Sequence, residues 1–397
     1  MNYLIQAYAC SPNQGGEYAV SWGWIIHLDK FLDDTDRIYV VSLTLKQEDV
    51  ENAGLKHVKL VPVKGINKYE FLHYNQLFYQ IWQKKAYSTI KKIGVKIDVV
   101  HVFSLSDFRQ PGKWCELNGA YSILGPVGGG QICPSALKSY DDRSGTIRGM
   151  INATCKWNLL YKHKVNKYSK IYACNEETKK YFNNAKILVD VPLNDKLRNL
   201  KIEKRENEIP KILFMGRLIN KKGLLLLLDS LQYIESEIQY HIYIYGEGEQ
   251  KELIKSKIVE KGLENKVFVM GKVPYEQISE VYRQSDIFVL PSLRESGGSV
   301  LIEAMAHKLP IVALRMSLSA ILDKKECGLF VNVKSEKEKI LKEFAYNITT
   351  LIKNSELREY YGENGYVFVN SELTWDVMMN EVYGNFIGEK ELKNGML

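Results

Sequence analysis

The chain has 397 residues, 45% of them hydrophobic, and a formal net charge of +7. This length exceeds what one hydrophobic core usually supports, so we expect two domains rather than one small one. No segment has the roughly 18 continuous apolar residues of a transmembrane helix, and the spacing of the six cysteines argues against a disulfide framework and against a structural metal site.

The first predicted elements are a strand over residues 2–9, a loop that contains Gly15, Gly16 and Glu17, and a helix. Glycines between a first strand and a first helix let backbone N–H groups approach a phosphate closely, and the helix N-terminus adds a partial positive charge. By itself, such a turn is weak evidence for any particular ligand.

An Asp-x-Asp pair, Asp34 and Asp36, follows this helix. Such a pair can bind a metal–pyrophosphate group, but here it lies between a predicted helix and a predicted strand. Clustered aspartates at that place are typical of a polar turn. We therefore predict no metal site.

The next predicted strands end near a histidine and a glycine-rich turn. A strand over residues 97–103 has His101 near its end, and a strand over 121–124 leads to Gly128 and Gly129. The histidine could be a core residue that donates to a carbonyl, or it could face a ligand. The residues alone leave both interpretations open.

The first half of the chain is basic. Residues 1–200 carry 27 Lys and Arg against 18 Asp and Glu, whereas the remaining residues carry 27 against 29. The segments 67–96 and 156–170 combine lysines with aromatic residues, which suits the headgroup level of an anionic bilayer. Helices that cover a sheet also expose lysines and bury aromatic rings, so this alternative stays open. The aromatic residues are Tyr69, Phe71, Tyr74, Phe78, Tyr79, Trp82, Tyr87, Trp157, Tyr161 and Tyr168.

Nucleic-acid binding is another interpretation of the basic half. It would predict salt-sensitive affinity for any polynucleotide. The sequence contains no recognised nucleic-acid-binding module, and we predict no nucleic-acid partner.

A stretch rich in Lys, Glu and Asn over residues 196–209 predicts a linker. After it, a buried strand ends at Gly216 and a helix begins near Leu224, which places Arg217 and Lys222 at the carboxyl end of a strand. Open α/β sheets bind their ligands there. A guanidinium and an ammonium suit a pyrophosphate without the help of a metal.

Two glutamates eight positions apart, Glu295 and Glu303, are the most informative feature of the sequence. They bracket a Gly-Gly turn that follows an apolar strand and precedes a helix, so backbone N–H groups are available to an anion. Carboxylates only accept hydrogen bonds, and two of them aimed at one ligand suit a hexose and a ribose. The predicted ligand contacts in this block are Glu295, Ser296, Gly297, Gly298, Ser299, Val300 and Glu303.

The block 291–313 resembles, almost residue for residue, the signature of family 4 retaining glycosyltransferases, which have the two-domain GT-B fold. The first loop and the pair Trp22 and Trp24 resemble a bacterial branch of that family. Two differences limit the transfer of roles. This chain has Tyr18-Ala19 where the branch usually has Pro-Gly, and Phe103 where other members have a second histidine.

The resemblance implies specific roles. Glu295 lies near the hydroxyls of the transferred sugar, Glu303 holds the ribose, and Arg217 and Lys222 contact the diphosphate of the donor. The remaining predicted site residues are Gly15, Gly16 and Gly216 for donor binding, His101 for catalysis, and Glu17, Gly128 and Gly129 on the acceptor side.

We therefore expect a retaining glycosyltransferase that moves a hexose from a UDP- or GDP-sugar to a glycan or a polyprenyl-linked oligosaccharide in surface polysaccharide biosynthesis. The nucleotide sugar is the co-substrate, and no metal cofactor is expected. The resemblance implies front-face attack, in which the departing phosphate oxygen takes the proton of the acceptor. The alternatives are a non-catalytic nucleotide-sugar-binding scaffold, a phosphorylase or an epimerase of the same fold.

The expected architecture is α/β, with two Rossmann-like doubly wound domains that face each other across a cleft. An acceptor-binding domain is predicted over residues 1–195, a nucleotide-sugar-binding domain over 196–370, and a helix over 371–397 that crosses back to the first domain. The start lacks the pattern of a signal peptide. The expected location is the cytoplasm, at the inner face of the cell membrane.

Overall fold

The computed structural model describes residues 1–66, 75–105, 107–202 and 207–394. By their internal contacts, the residues divide into two compact units. Unit 1 comprises Met1–Gly130, Ile151–Asp190 and Met378–Leu397, and unit 2 comprises Gln131–Met150 and Val191–Val377. These bounds differ from the predicted ones, because residues 131–150 group with unit 2 and unit 1 resumes only at Met378. Residues 203–206 of the predicted linker lie outside the described residues.

Unit 1 is built on a parallel sheet that has seven strands within the described residues, in the order β3-β2-β1-β4-β5-β6-β7. The strands are β1 (Asn2–Ala7), β2 (Arg37–Val41), β3 (Val58–Leu60), β4 (Val99–Ser104), β5 (Tyr121–Val127), β6 (Lys170–Ala173) and β7 (Ala185–Ile187). The helices are α1 (Glu17–Phe31), α2 (Gln47–Asn52), α3 (Gln76–Ile93), α4 (Arg143–Trp157), which begins in residues of unit 2, α5 (Leu159–Val165) and α6 (Glu176–Lys179). Strand order reverses between β1 and β4, which makes their carboxyl ends a topological switch point.

Unit 2 repeats this plan with six parallel strands among its described residues, in the order β10-β9-β8-β11-β12-β13. The strands are β8 (Lys211–Met215), β9 (His241–Tyr245), β10 (Val267–Gly271), β11 (Ile287–Leu290), β12 (Ile311–Leu314) and β13 (Gly328–Val331). The helices are α7 (Leu224–Ser230), α8 (Lys251–Glu260), α9 (Tyr275–Arg283), α10 (Ser299–Ala306), α11 (Leu318–Lys324), α12 (Lys337–Lys353), α13 (Ser355–Glu372) and α14 (Trp375–Asn394), whose later part belongs to unit 1. Its switch point lies between β8 and β11.

The central strands of both sheets are almost continuously buried. All six residues of β4 and all four of β11 and β12 are buried. Uninterrupted apolar strands are typical of parallel sheets with helices on both faces. The predicted fold class, α/β with two Rossmann-like doubly wound domains, is confirmed.

The later part of α14 packs into unit 1. The Tyr383 side chain is fully buried there, and its ring lies 6.0 Å from that of Tyr3. Glu381 accepts a hydrogen bond from the Tyr172 hydroxyl at 3.0 Å and pairs with Lys186 at 2.6 Å. The later part of α14 is therefore a structural part of this unit.

Two predictions from local composition have clear outcomes. The backbone N–H of Asp36 donates to the Asp33 carbonyl at 2.9 Å, so the Asp-x-Asp pair lies in a turn, as predicted. Among the described residues, no helix is both long enough and apolar enough to cross a membrane.

Of the seven described aromatic residues that were predicted for a membrane surface, five instead form the core of unit 1, and Tyr87 is half-buried. The buried ones are Phe78, Tyr79, Trp82, Tyr161 and Tyr168, whereas Trp157 is 78% exposed. Tyr69, Phe71 and Tyr74 lie outside the described residues. For the buried rings, the alternative of helices that simply cover a sheet is the correct one.

Candidate active site

The switch point of unit 2 brings together two loops that are far apart in the sequence. The first follows β8 and carries Gly216, Arg217 and Lys222, and the second follows β11 and carries the glutamate block. The backbone N–H of Leu293 in the second loop donates to the Lys221 carbonyl in the first at 2.8 Å. The predicted cations and carboxylates therefore share one end of one sheet.

Gly223 allows the two loops to approach each other. Its φ is +71°, and a Cβ atom at this position would lie 2.0 Å from the Pro291 carbonyl oxygen. That oxygen belongs to the backbone at the end of β11 and cannot rotate away. A side chain at Gly223 would therefore push apart the loops that carry Lys222 and Glu295.

Gly223→Ala is expected to destabilise unit 2 more than Gly262→Ala, which serves as a matched control. Gly262 also has positive φ, at +65°, but a Cβ atom there would have no neighbour within 4 Å. The control should cost about 1 kcal/mol of backbone strain, a fall of about 2–4 °C in Tm for a unit of this size. Gly223→Ala should lower Tm by at least about twice as much. Equal shifts in differential scanning calorimetry would contradict the loop contact.

Lys222 and Glu295 form an ion pair in this loop contact, with side-chain exposures of 12% and 16%. Ser292 donates to the same carboxylate from 3.3 Å. Burial alone would raise the pKa of Glu295, but Lys222, Lys221 and Ser292 hold that pKa below its ordinary value. Glu295 is therefore ionised at neutral pH.

Further cations surround this pair. Burial lowers the pKa of Lys221; the charge of Glu295 opposes that shift, and Arg217, Lys222 and Arg294 add to it. The Arg217 side chain is exposed at the end of β8. Arg217, Lys221 and Lys222 outnumber the one carboxylate beside them, Glu295, and this excess of positive charge favours a polyanion such as a diphosphate.

Arg294 is already paired within unit 2. It is buried, and its guanidinium donates to Asp141 at 2.8 Å and to Asp142 at 3.3 Å. Its role is therefore to hold the second loop in place, whereas the Arg217 side chain is exposed to solvent.

The Gly-Gly turn leads directly into α10. Gly298 caps the helix with a φ of +62°, and the Leu301 N–H donates to its carbonyl at 2.8 Å. Gly297 and Gly298 are buried, whereas Ser296 and Ser299 are exposed on either side of them. The helix N-terminus and its flanking hydroxyls therefore lie beside the cation cluster, as an anion site requires.

Glu303 lies one turn further along α10, where Tyr282 from α9 orients it. The Tyr282 hydroxyl donates to Oε2 of Glu303 at 3.0 Å, and the His307 ring stacks on Tyr282 at 4.9 Å. Burial raises the pKa of Glu303, and the bond from Tyr282 only partly offsets this. The second carboxylate oxygen, Oε1, has no partner among the described residues and could accept from a ligand hydroxyl.

The Gly-x-Gly turn after β9 supports the first loop from the side. The Gly216 N–H donates to the Tyr245 carbonyl at 3.0 Å and the Leu218 N–H donates to the Glu247 carbonyl at 2.9 Å. A Cβ at Gly246 would lie 1.8 Å from the Gly216 carbonyl oxygen. The turn positions the backbone on both sides of Arg217.

In unit 1, the first loop lies at the corresponding switch point. Gly15 and Gly16 are exposed, and Gly16 caps α1 with a φ of +65°. Glu17 in the first turn of α1 accepts a long hydrogen bond of 3.5 Å from Ser104, which ends β4. These three predicted residues are therefore at the carboxyl edge of the sheet.

His101 lies in the core of unit 1. It is fully buried, its Nε2 contacts the Gly125 carbonyl, and its Nδ1 lies 2.5 Å from the Tyr383 hydroxyl. Burial lowers its pKa to about 4, so it is neutral at neutral pH. Both ring nitrogens are engaged inside the core, which favours the core interpretation, and the catalytic role of His101 stays a prediction.

The two acceptor-side glycines also differ from each other. Gly128 is buried, and its carbonyl accepts from the Phe108 N–H at 3.1 Å, as an extension of the sheet. Gly129 is half-buried with a φ of +99°, and its carbonyl accepts from Asn152 at 2.9 Å. Their backbones shape the end of β5.

Several residues of the site had no local signal in the sequence. Tyr282 precedes Glu303 by 21 positions and lies in a separate helix, so only the packing of α9 on α10 joins them. Lys221 could have been found, because it stands next to Lys222 in the same loop. Within the described parts of the chain, no group of three or more His, Cys, Asp or Glu residues could hold a metal ion, and metal independence stays a prediction.

Solved structures confirm the class of fold. Sucrose-phosphate synthase of Thermosynechococcus elongatus matches with a TM-score of 0.66 and 15% identity over 98% of this chain and 99% of that one. Anabaena HepE in complex with UDP matches with a TM-score of 0.63 and 14% identity over 98% and 100%. The chain has the GT-B fold.

The family comparison covers unit 2. Residues 195–368 match the model of the family described as Glycosyl transferases group 1. This segment contains every donor-site residue predicted in the second half, including Arg217, Lys222 and both glutamates.

Curated relatives also match over half of this chain or less. An uncharacterized glycosyltransferase of Methanocaldococcus jannaschii is 27% identical over 43% of each chain, and mannosylfructose-phosphate synthase of Agrobacterium fabrum is 35% identical over 30% of this chain and 29% of its own. The capsular polysaccharide biosynthesis glycosyltransferase CapM of Staphylococcus aureus is 28% identical over 50% and 52%. The chain spans less than half the length of the first of these relatives.

Proposed function

We propose that this protein is a retaining glycosyltransferase of family 4. It transfers a hexose from a nucleoside-diphosphate sugar to a hydroxyl of a glycan or a lipid-linked oligosaccharide in surface polysaccharide biosynthesis. The observation that carries the proposal is the convergence of Arg217, Lys222, Glu295 and Glu303 at the switch point of unit 2. The group 1 family match over the same residues and the similarity to CapM support it.

Each side chain has a distinct part in the proposed reaction. Arg217 and Lys222 neutralise the charge that develops on the departing diphosphate, together with the backbone N–H groups near Gly297 and Gly298. Glu295 positions the sugar through its hydroxyls rather than acting as a nucleophile, because Lys222 and Ser292 already hold it. The departing phosphate oxygen takes the proton of the acceptor.

Glu303 binds the ribose of the donor in this proposal. Tyr282 occupies one carboxylate oxygen and leaves the other for a ribose hydroxyl. The similarity to HepE, which has been solved with UDP, favours a uridine nucleotide, and a guanosine nucleotide is the alternative. In unit 1, the proposed role of Gly15 and Gly16 is to bind the donor, and that of Glu17 is to contact the acceptor.

A lipid-linked acceptor places the enzyme at the inner face of the cell membrane as a peripheral protein. The basic character of residues 1–200 supports this part of the proposal. Neither a metal nor another cofactor is required, because lysine and arginine supply the positive charge at the diphosphate.

The test is thermal stability in the presence of UDP, GDP, ADP and CDP in turn, with a chelator present. A nucleotide that binds only the folded state at about 100 times its Kd stabilises it by about 2.7 kcal/mol. We expect a rise in Tm with one nucleotide. Sugar transfer is then measured with the nucleotide sugars that contain this nucleotide. No rise with any nucleotide would contradict the diphosphate site; a rise without transfer would favour the scaffold alternative.

A further inference from the structure

The corner between α4 and α5 exposes large apolar side chains. Trp157, Leu159 and Leu160 are 78%, 78% and 82% exposed. The corner is well formed, because Asn158 caps α5 by accepting from the Tyr161 N–H at 3.0 Å. Tyr161 supplies the buried face of α5, so Leu159 and Leu160 are left on the outer face.

Helix α3 likewise has a buried inner face and an outer face with exposed apolar residues. Its inner face packs Phe78, Tyr79 and Trp82 into the core of unit 1, whereas Leu77 and Ile81 are 67% and 46% exposed. The two exposed residues are four positions apart and therefore lie on one face of the helix. Both helices thus begin with apolar residues on the outside.

In α3 and at the α4–α5 corner, lysines follow the exposed apolar residues. The segments that contain these helices have no acidic residues. No Asp or Glu occurs between residues 75 and 97 or between 143 and 175. The exposed lysines of these segments are Lys84, Lys85, Lys91, Lys92, Lys96, Lys156, Lys162 and Lys167. The outer face of α3 and the α4–α5 corner combine exposed Leu, Ile and Trp side chains with lysines, and these two segments contain no acidic residue.

Residues 110–116 join the two helices into one surface. On one side, Trp114 donates to Gln83 of α3 at 3.2 Å. On the other side, Glu116 pairs with Lys167, just after α5, at 3.6 Å. Burial lowers the pKa of Lys164, and Lys113 and Lys84 lower it further, so lysines from all three segments are close to one another.

We propose that the outer face of α3 and the α4–α5 corner dock on an anionic lipid bilayer. Lysines alone would suit any polyanion, and exposed apolar residues alone would suit another protein. Their combination suits the boundary between anionic headgroups and acyl chains, where Trp and Leu insert and lysines remain at the phosphates. The inference rests on the proposed function and deepens it, because it assigns the membrane contact that a lipid-linked acceptor requires. Its test requires no transfer.

The experiment is cosedimentation of the full chain with phosphatidylcholine vesicles that contain or lack phosphatidylglycerol. We expect binding only to the anionic vesicles and weaker binding at high salt. The double variant Leu159→Gln/Leu160→Gln should bind at least about tenfold more weakly. The control is Leu253→Gln/Val259→Gln, which changes exposed apolar residues of α8 in unit 2 and should bind as the wild type does.

Fluorescence of Trp157 provides a second measurement. Brominated acyl chains should quench part of the emission of the wild type, and Trp157→Phe should remove that part. Equal vesicle binding by both double variants, or no quenching, would overturn the proposal. Self-association in the absence of vesicles that Leu159→Gln/Leu160→Gln abolishes would overturn it in favour of a second copy of the chain. The nucleotide-dependent rise in Tm is measured on the same variants, and its retention separates a failure of docking from a failure of the proposed function.

Discussion

Lys222→Ala is expected to lower kcat/KM for sugar transfer by about 10³ and to weaken nucleoside-diphosphate binding. Removal of one preorganised donor to a developing negative charge typically costs about 10²–10³ in rate. Here the variant also leaves the Glu295 carboxylate, 16% exposed, without its ammonium partner at the place where a diphosphate binds. Both effects act in the same direction. Initial rates and isothermal titration with the stabilising nucleotide measure them.

The matched control is Lys255→Ala, which removes the lysine of an exposed pair with Glu252 in the same unit. Exposed pairs contribute little, and this one lies in α8, so activity and binding should stay unchanged. If Lys222→Ala were as active as the control, the assignment of Lys222 to the diphosphate would be wrong. A calorimetric scan of each variant separates loss of function from loss of the folded unit.

The two glutamates should separate binding from transfer. Glu295→Gln is expected to lower the rate of transfer by about 10²–10³, because the contacts of the Glu295 carboxylate with the sugar hydroxyls strengthen as the sugar leaves the diphosphate. This variant should tighten nucleoside-diphosphate binding by about three- to tenfold. In the wild type, the diphosphate must compete with Glu295 for Lys222, and in the variant it does not. Glu303→Gln should instead weaken nucleoside-diphosphate binding by about tenfold, because an amide nitrogen replaces one of the two oxygens that can accept from the ribose.

Inorganic pyrophosphate distinguishes these roles further. Pyrophosphate has no ribose, so Glu303→Gln should bind it as the wild type does, whereas Glu295→Gln should bind it more tightly. Competition against a fluorescent nucleotide measures both affinities. Normal turnover in both variants, or weaker pyrophosphate binding in Glu303→Gln, would show that the two carboxylates are misassigned.

The local pattern of the sequence was sufficient for the fold class and for the placement of the main predicted site residues at strand ends. Apolar runs that end at Gly216 and at Pro291, each followed by a helix, identify strand ends, because a strand, a turn and a helix are specified by nearby residues. The chemistry of Arg217, Lys222, Glu295 and Glu303 could then be predicted from their positions at those ends.

The aromatic segments illustrate where local pattern was insufficient. Lysines and rings at helical spacing are compatible both with a membrane surface and with a helix that covers a sheet. Burial decided between them, and it placed Tyr79 and Trp82 inside while leaving Leu159 and Leu160 outside. Sequence composition alone does not say which face of a helix meets a core.

The sequence by itself therefore determined the parallel α/β character, the loops at the strand ends and the charges that they carry, since all of these depend on residues close together in the chain. Only the tertiary structure decided which loops meet. The order of strands places the loop of Lys222 beside that of Glu295, α9 brings Tyr282 to Glu303, and Tyr383, 282 positions after His101, buries that histidine. Such contacts arise from the packing of distant elements, which a motif does not encode.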